Sequence, residues 1–200
     1  MNTLRLKLLM LPLFILFAMN GIAEEVPVAI KIGEMASPME LKDLKGVVHR
    51  IADYKGKVVV LEWTNPECPF VKRHYNKGTM KALQSKYQPQ GVVWLAISST
   101  STLAVTKLEE WGIAQKLNYP LINDPMGVIG MAYGAQTTPH MFIIDQEGKL
   151  AYGGAIDSDP YGDEEKPKSF FEDALIAILS GKEPLVAQTT PYGCSVKYPQ

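Results

Sequence analysis

The chain has 200 residues, 20 basic and 21 acidic, so its formal net charge is only −1. It has no basic run and no interleaving of aromatic with basic residues, which excludes the usual signatures of a nucleic-acid binder. Two cysteines are too few for a disulfide-stapled mini-protein, and they suit one specific bridge or one redox couple.

In chain order, the first segment reads as an address. Arg5 and Lys7 precede an apolar stretch from Leu8 to Ala18, and Gly21-Ile22-Ala23 sets small residues before Glu24. This is the layout of a secretory signal peptide over residues 1–23, cleaved after Ala23, and it predicts a periplasmic protein. The apolar run falls short of the roughly 20 residues of a membrane span; a retained anchor is the alternative reading. Residues 24–200 are then one domain, long enough to bury a substantial core and, with no second long apolar segment, independent of the membrane once cleaved.

Met39–Leu41 and Val47–Ile51 flank Leu44-Lys45-Gly46 as a hairpin, and residues 53–57 form a turn. Val58-Val59-Val60-Leu61 is an unbroken branched run, the pattern of a strand buried on both faces. After a loop over residues 63–67, Pro69 suits the first turn of a helix that starts near Cys68. That helix is expected to break at Gly78, with Thr79 capping a second segment whose Met80, Leu83 and Tyr87 share a face. Residues 92–98 read as a second buried strand, and Ala104, Leu108, Trp111, Ala114 and Leu117 recur at helical spacing. Pro139 precedes a third strand over residues 141–145, and a turn at Gln146-Glu147-Gly148 leads into residues 150–152. Phe170 to Leu179 is an amphipathic helix closed by Gly181, and residues 182–200 read as an irregular, mobile C-terminal tail. The order implies an α/β domain with a central mixed sheet: a parallel pair extended by an antiparallel pair, covered by helices on both faces.

Cys68 stands where a buried strand gives way to a helix. Free N–H groups and the positive end of the helix dipole stabilise a thiolate there, and Lys72, one turn on, is expected to add to the effect. The functional reading is a nucleophile of lowered pKa; the bland one is a small buried filler.

Glu62-Trp63-Thr64-Asn65-Pro66-Glu67-Cys68-Pro69-Phe70-Val71-Lys72 resembles the active-site stretch of thioredoxin-like redoxins. It is most similar to the peroxiredoxin-like branch of the alkyl hydroperoxide reductase and thiol-specific antioxidant (AhpC/TSA) superfamily. Residues 137–145, Thr-Thr-Pro-His-Met-Phe-Ile-Ile-Asp, resemble that family's cis-proline segment, and Tyr192-Gly193-Cys194-Ser195-Val196-Lys197-Tyr198 resembles its glycine-cysteine tail. The resemblance covers roughly residues 33–198 and implies a thioredoxin-like fold with Cys68 as nucleophile. Thr64, Asn65, Pro69, Lys72, Thr138 and Pro139 would frame the site. It also implies a cis bond before Pro139, beside which a substrate chain can pair as an added strand; a trans proline opening a strand is the plain alternative.

The departures are specific. No Cys-x-x-Cys motif is present: Asn65 stands three residues before Cys68 and Val71 three after. Peroxiredoxins carry Thr or Ser at the position of Asn65, and a downstream arginine near the thiolate, whereas no arginine follows Arg73. For Cys194, 126 residues on, three readings stay open: a resolving partner, one end of a permanent bridge, or a free or intermolecular thiol.

The implied function is a thiol-based oxidoreductase, acting by thiol–disulfide exchange or on peroxide. Its partners would be protein thiols or disulfides, or small peroxides, with an electron donor the sequence does not name, and it needs no cofactor. A rival is a non-catalytic copper- or thiol-binding module built from Cys68, His140 and Met126 or Met141. Another is a structural fold that holds a partner chain at the Pro139 edge. The acidic loop over residues 157–165 lacks the ligand periodicity of a calcium site and reads as solvated.

Overall fold

The computed structural model describes residues 29–200, so the signal peptide expected over residues 1–23 lies outside the described residues. An N-terminal hairpin, β1 (Glu40–Lys42) and β2 (Val48–Arg50), forms its own two-stranded sheet. The central sheet has five strands: β3 (Val59–Trp63), β4 (Val93–Ser98), β5 (Leu121–Asn123), β7 (His140–Ile144) and β8 (Leu150–Gly154). Their order is β5-β4-β3-β7-β8, with β3, β4 and β5 mutually parallel and β7 and β8 running antiparallel. The expected parallel pair and antiparallel pair are both present, and β5 adds a strand.

β3 is buried throughout, as its unbroken apolar pattern requires, and alternation splits its side chains between two cores. Val58 and Val60 join Cys68, Val71, Leu108, Met141, Phe171 and Leu175 on one face. Val59, Leu61 and Trp63 join Leu41, Ile129, Tyr133 and Phe142 on the other. The helices are α1 (Pro69–Asn76), α2 (Thr79–Tyr87), α3 (Val105–Ala114), α4 (Val128–Tyr133) and α5 (Phe170–Leu179). None of the described helices is long and apolar enough to cross a membrane.

One expectation is corrected. Thr79 does not cap α2: the cap residue is Gly78, left-handed at φ +73, and no side chain bonds the free N–H groups there. A glycine reverses the chain between α1 and α2 at no steric cost. The tail folds back on the domain: Cys194–Ser195 (β9) pairs antiparallel with Thr137–Thr138 (β6), Thr138 opposite Cys194. Further bonds hold it on both sides. Thr189 Oγ1 accepts the Ala155 N–H at 2.8 Å, Val196 N–H reaches the Gln136 carbonyl at 2.9 Å, and Tyr198 hydroxyl donates to the Ala135 carbonyl at 2.7 Å. Outside β9 the tail has little regular structure, because a segment tied by single side chains and short bridges has no period.

Candidate active site

Cys68 is the residue before α1, in extended conformation, with Pro69 at the first helical position. Asn65 builds the turn that delivers it: its carbonyl accepts the Cys68 N–H at 3.0 Å, and its Oδ1 accepts the Glu67 N–H at 2.8 Å. This is the chemistry by which short polar side chains fold a turn onto their own backbone. Thr64 is wholly buried at the end of the strand; its N–H bonds Ile97 and its hydroxyl has no partner among the described residues.

The Thr138–Pro139 peptide is cis, and it carries the Thr138 carbonyl to 3.0 Å from Cys68 Sγ, which donates to it as a thiol. Because β9 lies on that same edge, Cys194 packs against the core cluster that contains Cys68. Both cysteines are free thiols, with Cys68 only 1% exposed. Gly193 makes the approach feasible: at φ +130 it passes so close to the Thr138 carbonyl that a Cβ would overlap it.

The two thiols differ in acidity. Burial raises the Cys68 pKa, but hydrogen bonds from the Cys194 thiol, the Thr138 side chain and the N–H groups of Val71 and Cys194 outweigh it, and Cys68 lies below the ordinary thiol range. Cys194 is pushed up to about 11 by burial, then by its bond to Cys68 and the charge there, with Lys197 opposing. The Lys72 side chain is exposed, and the leading causes of the Cys68 shift are burial and hydrogen bonds. A lysine stem is long enough to keep its ammonium in water.

The residues of the copper reading are not brought together. His140 and Met141 are adjacent on β7, so they project to opposite faces: Met141 into the cluster with Cys68, His140 against the Phe142 ring at 4.2 Å. Burial lowers the His140 pKa to about 3, and its Nδ1 accepts the Gln136 N–H. Met126 is exposed, and no three His, Cys, Asp or Glu side chains among the described residues cluster as a metal site.

Two features of the site escaped the sequence reading. Glu62, facing the Cys68 side of the sheet, is wholly buried; its carboxylate accepts the Tyr75 hydroxyl at 2.7 Å and the Trp94 Nε1–H at 2.9 Å. Burial raises its pKa to about 7, with those two bonds the largest causes opposing it. The signal was present, a lone acid inside an apolar strand. Tyr192 is the second, bonded to Asp157 and His74, and its place in the glycine-cysteine tail was the only hint.

A thiol of lowered pKa at a helix start, with a cis-proline beside it and a second thiol packed on the same cluster, fits a thiol-based oxidoreductase on a thioredoxin fold. The comparisons agree. The profile of the AhpC/TSA family matches residues 32–153, and the chain belongs to that family. In sequence it is similar to the thiol-disulfide oxidoreductase ResA of Geobacillus thermodenitrificans (strain NG80-2), 34% identical over 152 residues, 75% of this chain and 83% of that protein. In structure it is similar to a hypothetical protein of Sinorhizobium meliloti 1021, with a TM-score of 0.76 at 24% identity over 86% of this chain and 96% of that one. The thioredoxin domain of a thiol-disulfide oxidoreductase from Bacteroides vulgatus matches at a TM-score of 0.53 and 19% identity, covering 62% of this chain and 89% of that domain.

Proposed function

We propose that the chain is an exported thiol–disulfide oxidoreductase in which Cys68 attacks and Cys194 resolves. Residues 1–23 are its signal peptide, residues 24–200 its mature domain, and the periplasm its compartment. One observation carries the reading: β9 sets Cys194 opposite Thr138, whose carbonyl lies 3.0 Å from Cys68 Sγ.

The acidities order the steps. The Cys68 thiolate attacks a disulfide of a protein or small-molecule substrate; a Cys68–substrate disulfide forms, and one substrate thiolate leaves and takes up a proton. Cys68 has then lost its charge, which removes a cause of the high Cys194 pKa and leaves Lys197 favouring the thiolate. Cys194 attacks Cys68 Sγ, the bond to the substrate breaks, and a Cys68–Cys194 disulfide remains for a thiol donor to reduce. Disulfide exchange suits this site better than peroxide reduction. Asn65 holds the position where peroxiredoxins use Thr or Ser, and Arg73 is bonded to the carbonyls of Asp159 and Pro160.

The test is a glutathione redox titration read by mass spectrometry of peptides. Wild type should close and open a Cys68–Cys194 bond reversibly, at a potential above about −300 mV. Cys194→Ser should accumulate protein with glutathione on Cys68. A bond that survives strong reducing poise, or none under oxidation, overturns the resolving role. The same spectra, on protein from the envelope fraction, read the N-terminus: Glu24 supports export and an intact Met1 on cytosolic protein opposes it.

A further inference from the structure

We propose that Tyr192 is a positioning residue for the resolving step, holding the tail so that Cys194 stays in reach of Cys68; this rests on the resolving role of Cys194. The anchor joins three parts of the molecule. The Tyr192 hydroxyl donates to Asp157 Oδ1 in the loop after β8 and lies 2.9 Å from His74 Nε2 on α1. Its ring stacks on His74 at 6.1 Å, tilts against Phe70 at 6.1 Å and carries the Arg73 guanidinium 5.9 Å from its centroid. Arg73 in turn donates to the carbonyls of Asp159, at 2.8 Å, and Pro160, at 2.7 Å, so the loop that bonds Tyr192 is itself fastened to α1.

This anchor rides on the same helix that Cys68 precedes. Phe70, Arg73 and His74 lie in the first two turns after the nucleophile. On the tail, only Gly193 separates Tyr192 from Cys194, and two residues of extended chain span at most about 7 Å. Gly193 has no side chain with which to hold its own conformation, so the position of Cys194 along the cleft is set by what stands on either side of it. Downstream, Val196 and Tyr198 bind the segment around β6; upstream, Tyr192 is the contact that refers the tail to α1. A tether that removes the search for its partner raises effective concentration, and with it both the closing rate and the stability of the bond formed.

The experiment uses the full mature chain, reduced and then mixed with oxidised glutathione. Cys68 displaces one glutathione thiolate and becomes glutathionylated; Cys194 then displaces the second, and mass spectrometry follows both species. Tyr192→Phe keeps the ring and removes the hydroxyl; Tyr192→Leu removes both. The expected result is unchanged or faster glutathionylation of Cys68, with conversion to the Cys68–Cys194 bond slowed roughly tenfold in Tyr192→Phe and further in Tyr192→Leu. The potential of the couple should become more positive by about 30 mV per tenfold. Closing rates and potentials equal to wild type in both variants, even beside a lower melting temperature, overturn the proposal and leave Tyr192 as packing. Absence of the bond in wild type overturns instead the resolving role beneath it.

Discussion

The two cysteines meet at one cluster of the core, in seats built by different means. Cys68 is delivered by regular structure: β3, buried in all five residues, runs into a turn fixed by Asn65, and α1 begins at once with Pro69. Cys194 belongs to a strand of two residues in a segment otherwise without helix or sheet. Its place is held by separate side-chain and backbone anchors, at Thr189, Tyr192, Val196 and Tyr198. The first seat shares the cooperativity of the core and opens only when the domain does. The second can be undone one contact at a time, and low-cost local opening is what the proposed resolving role requires. Cys68, 1% exposed in the closed arrangement, must be uncovered before a substrate disulfide reaches it.

The largest effect expected from breaking this asymmetry comes at Gly193. A Cβ there meets the Thr138 carbonyl, and φ +130 is a region that other residues rarely adopt. Gly193→Ala should expel β9 from its edge, so that reduced Cys68 reacts with iodoacetamide at least about tenfold faster while the intramolecular bond ceases to form. Gly181→Ala is the matched comparison, because its φ of +70 is also left-handed but open space surrounds it. It should lower stability by about 1 kcal/mol and leave Cys68 as slow as wild type. Equal alkylation rates in the two variants would mean that the tail does not cover the nucleophile.

The rigid seat has its own test in Glu62. A carboxyl whose pKa rises from about 4.5 unfolded to about 7 folded binds its proton more tightly in the folded state. Its contribution to stability is therefore fully present below about pH 4.5 and lost as pH rises through about 7. The span corresponds to about 3 kcal/mol as an upper figure. In urea unfolding between pH 4.5 and 8, the stability difference between wild type and Glu62→Gln should fall with pH; the whole-protein slope also carries His140 and His74, whose lowered pKa values pull the other way. The disulfide equilibrium of the tail should follow neither the slope nor the substitution if the two seats are independent. A Glu62→Gln profile parallel to wild type would refute the raised pKa.

How far each seat was legible follows from the same contrast. β3, β4, β7 and α5 announced themselves, because an unbroken apolar run or a 3.6-residue stripe is long enough to carry its own period. The turn at Gly78 and the helix start beside Pro69 were readable from single residues of restricted or unusual freedom. β5, with three residues, and α4, with six between Gly127 and Gly134, are too short to show a period, and residues 118–136 gave no elements in advance. At the site, Cys68, Cys194, Thr138 and Pro139 were visible through motif and resemblance. Tyr192, His74 and Asp157 lie far apart in sequence, and no local pattern says that a helix, a loop and a tail will share one hydroxyl. Lys72 is the opposite case: sequence distance places it one turn from Cys68, and its side chain is exposed to solvent.

The smallest expected effect is a test of that last distinction. Were Cys68 activated by nearby positive charge, removing Lys72 would raise the pH midpoint of alkylation. The groups that act on Cys68 are instead hydrogen-bond donors within the site, led by the Cys194 thiol. An exposed ammonium is screened by water and salt, and exposed charge pairs contribute little. Lys72→Ala should therefore shift the midpoint by less than about 0.3 pH units at physiological salt, within the range of a screened surface charge. Cys194→Ala, which deletes the strongest donor, should move the midpoint upward by clearly more. The midpoint, not the rate, is the readout, because the cover lost in Cys194→Ala speeds the reaction at every pH and by itself leaves the midpoint in place. If Lys72→Ala proves the larger shift, the thiolate is held by charge from α1, and the tail supplies only a second sulfur.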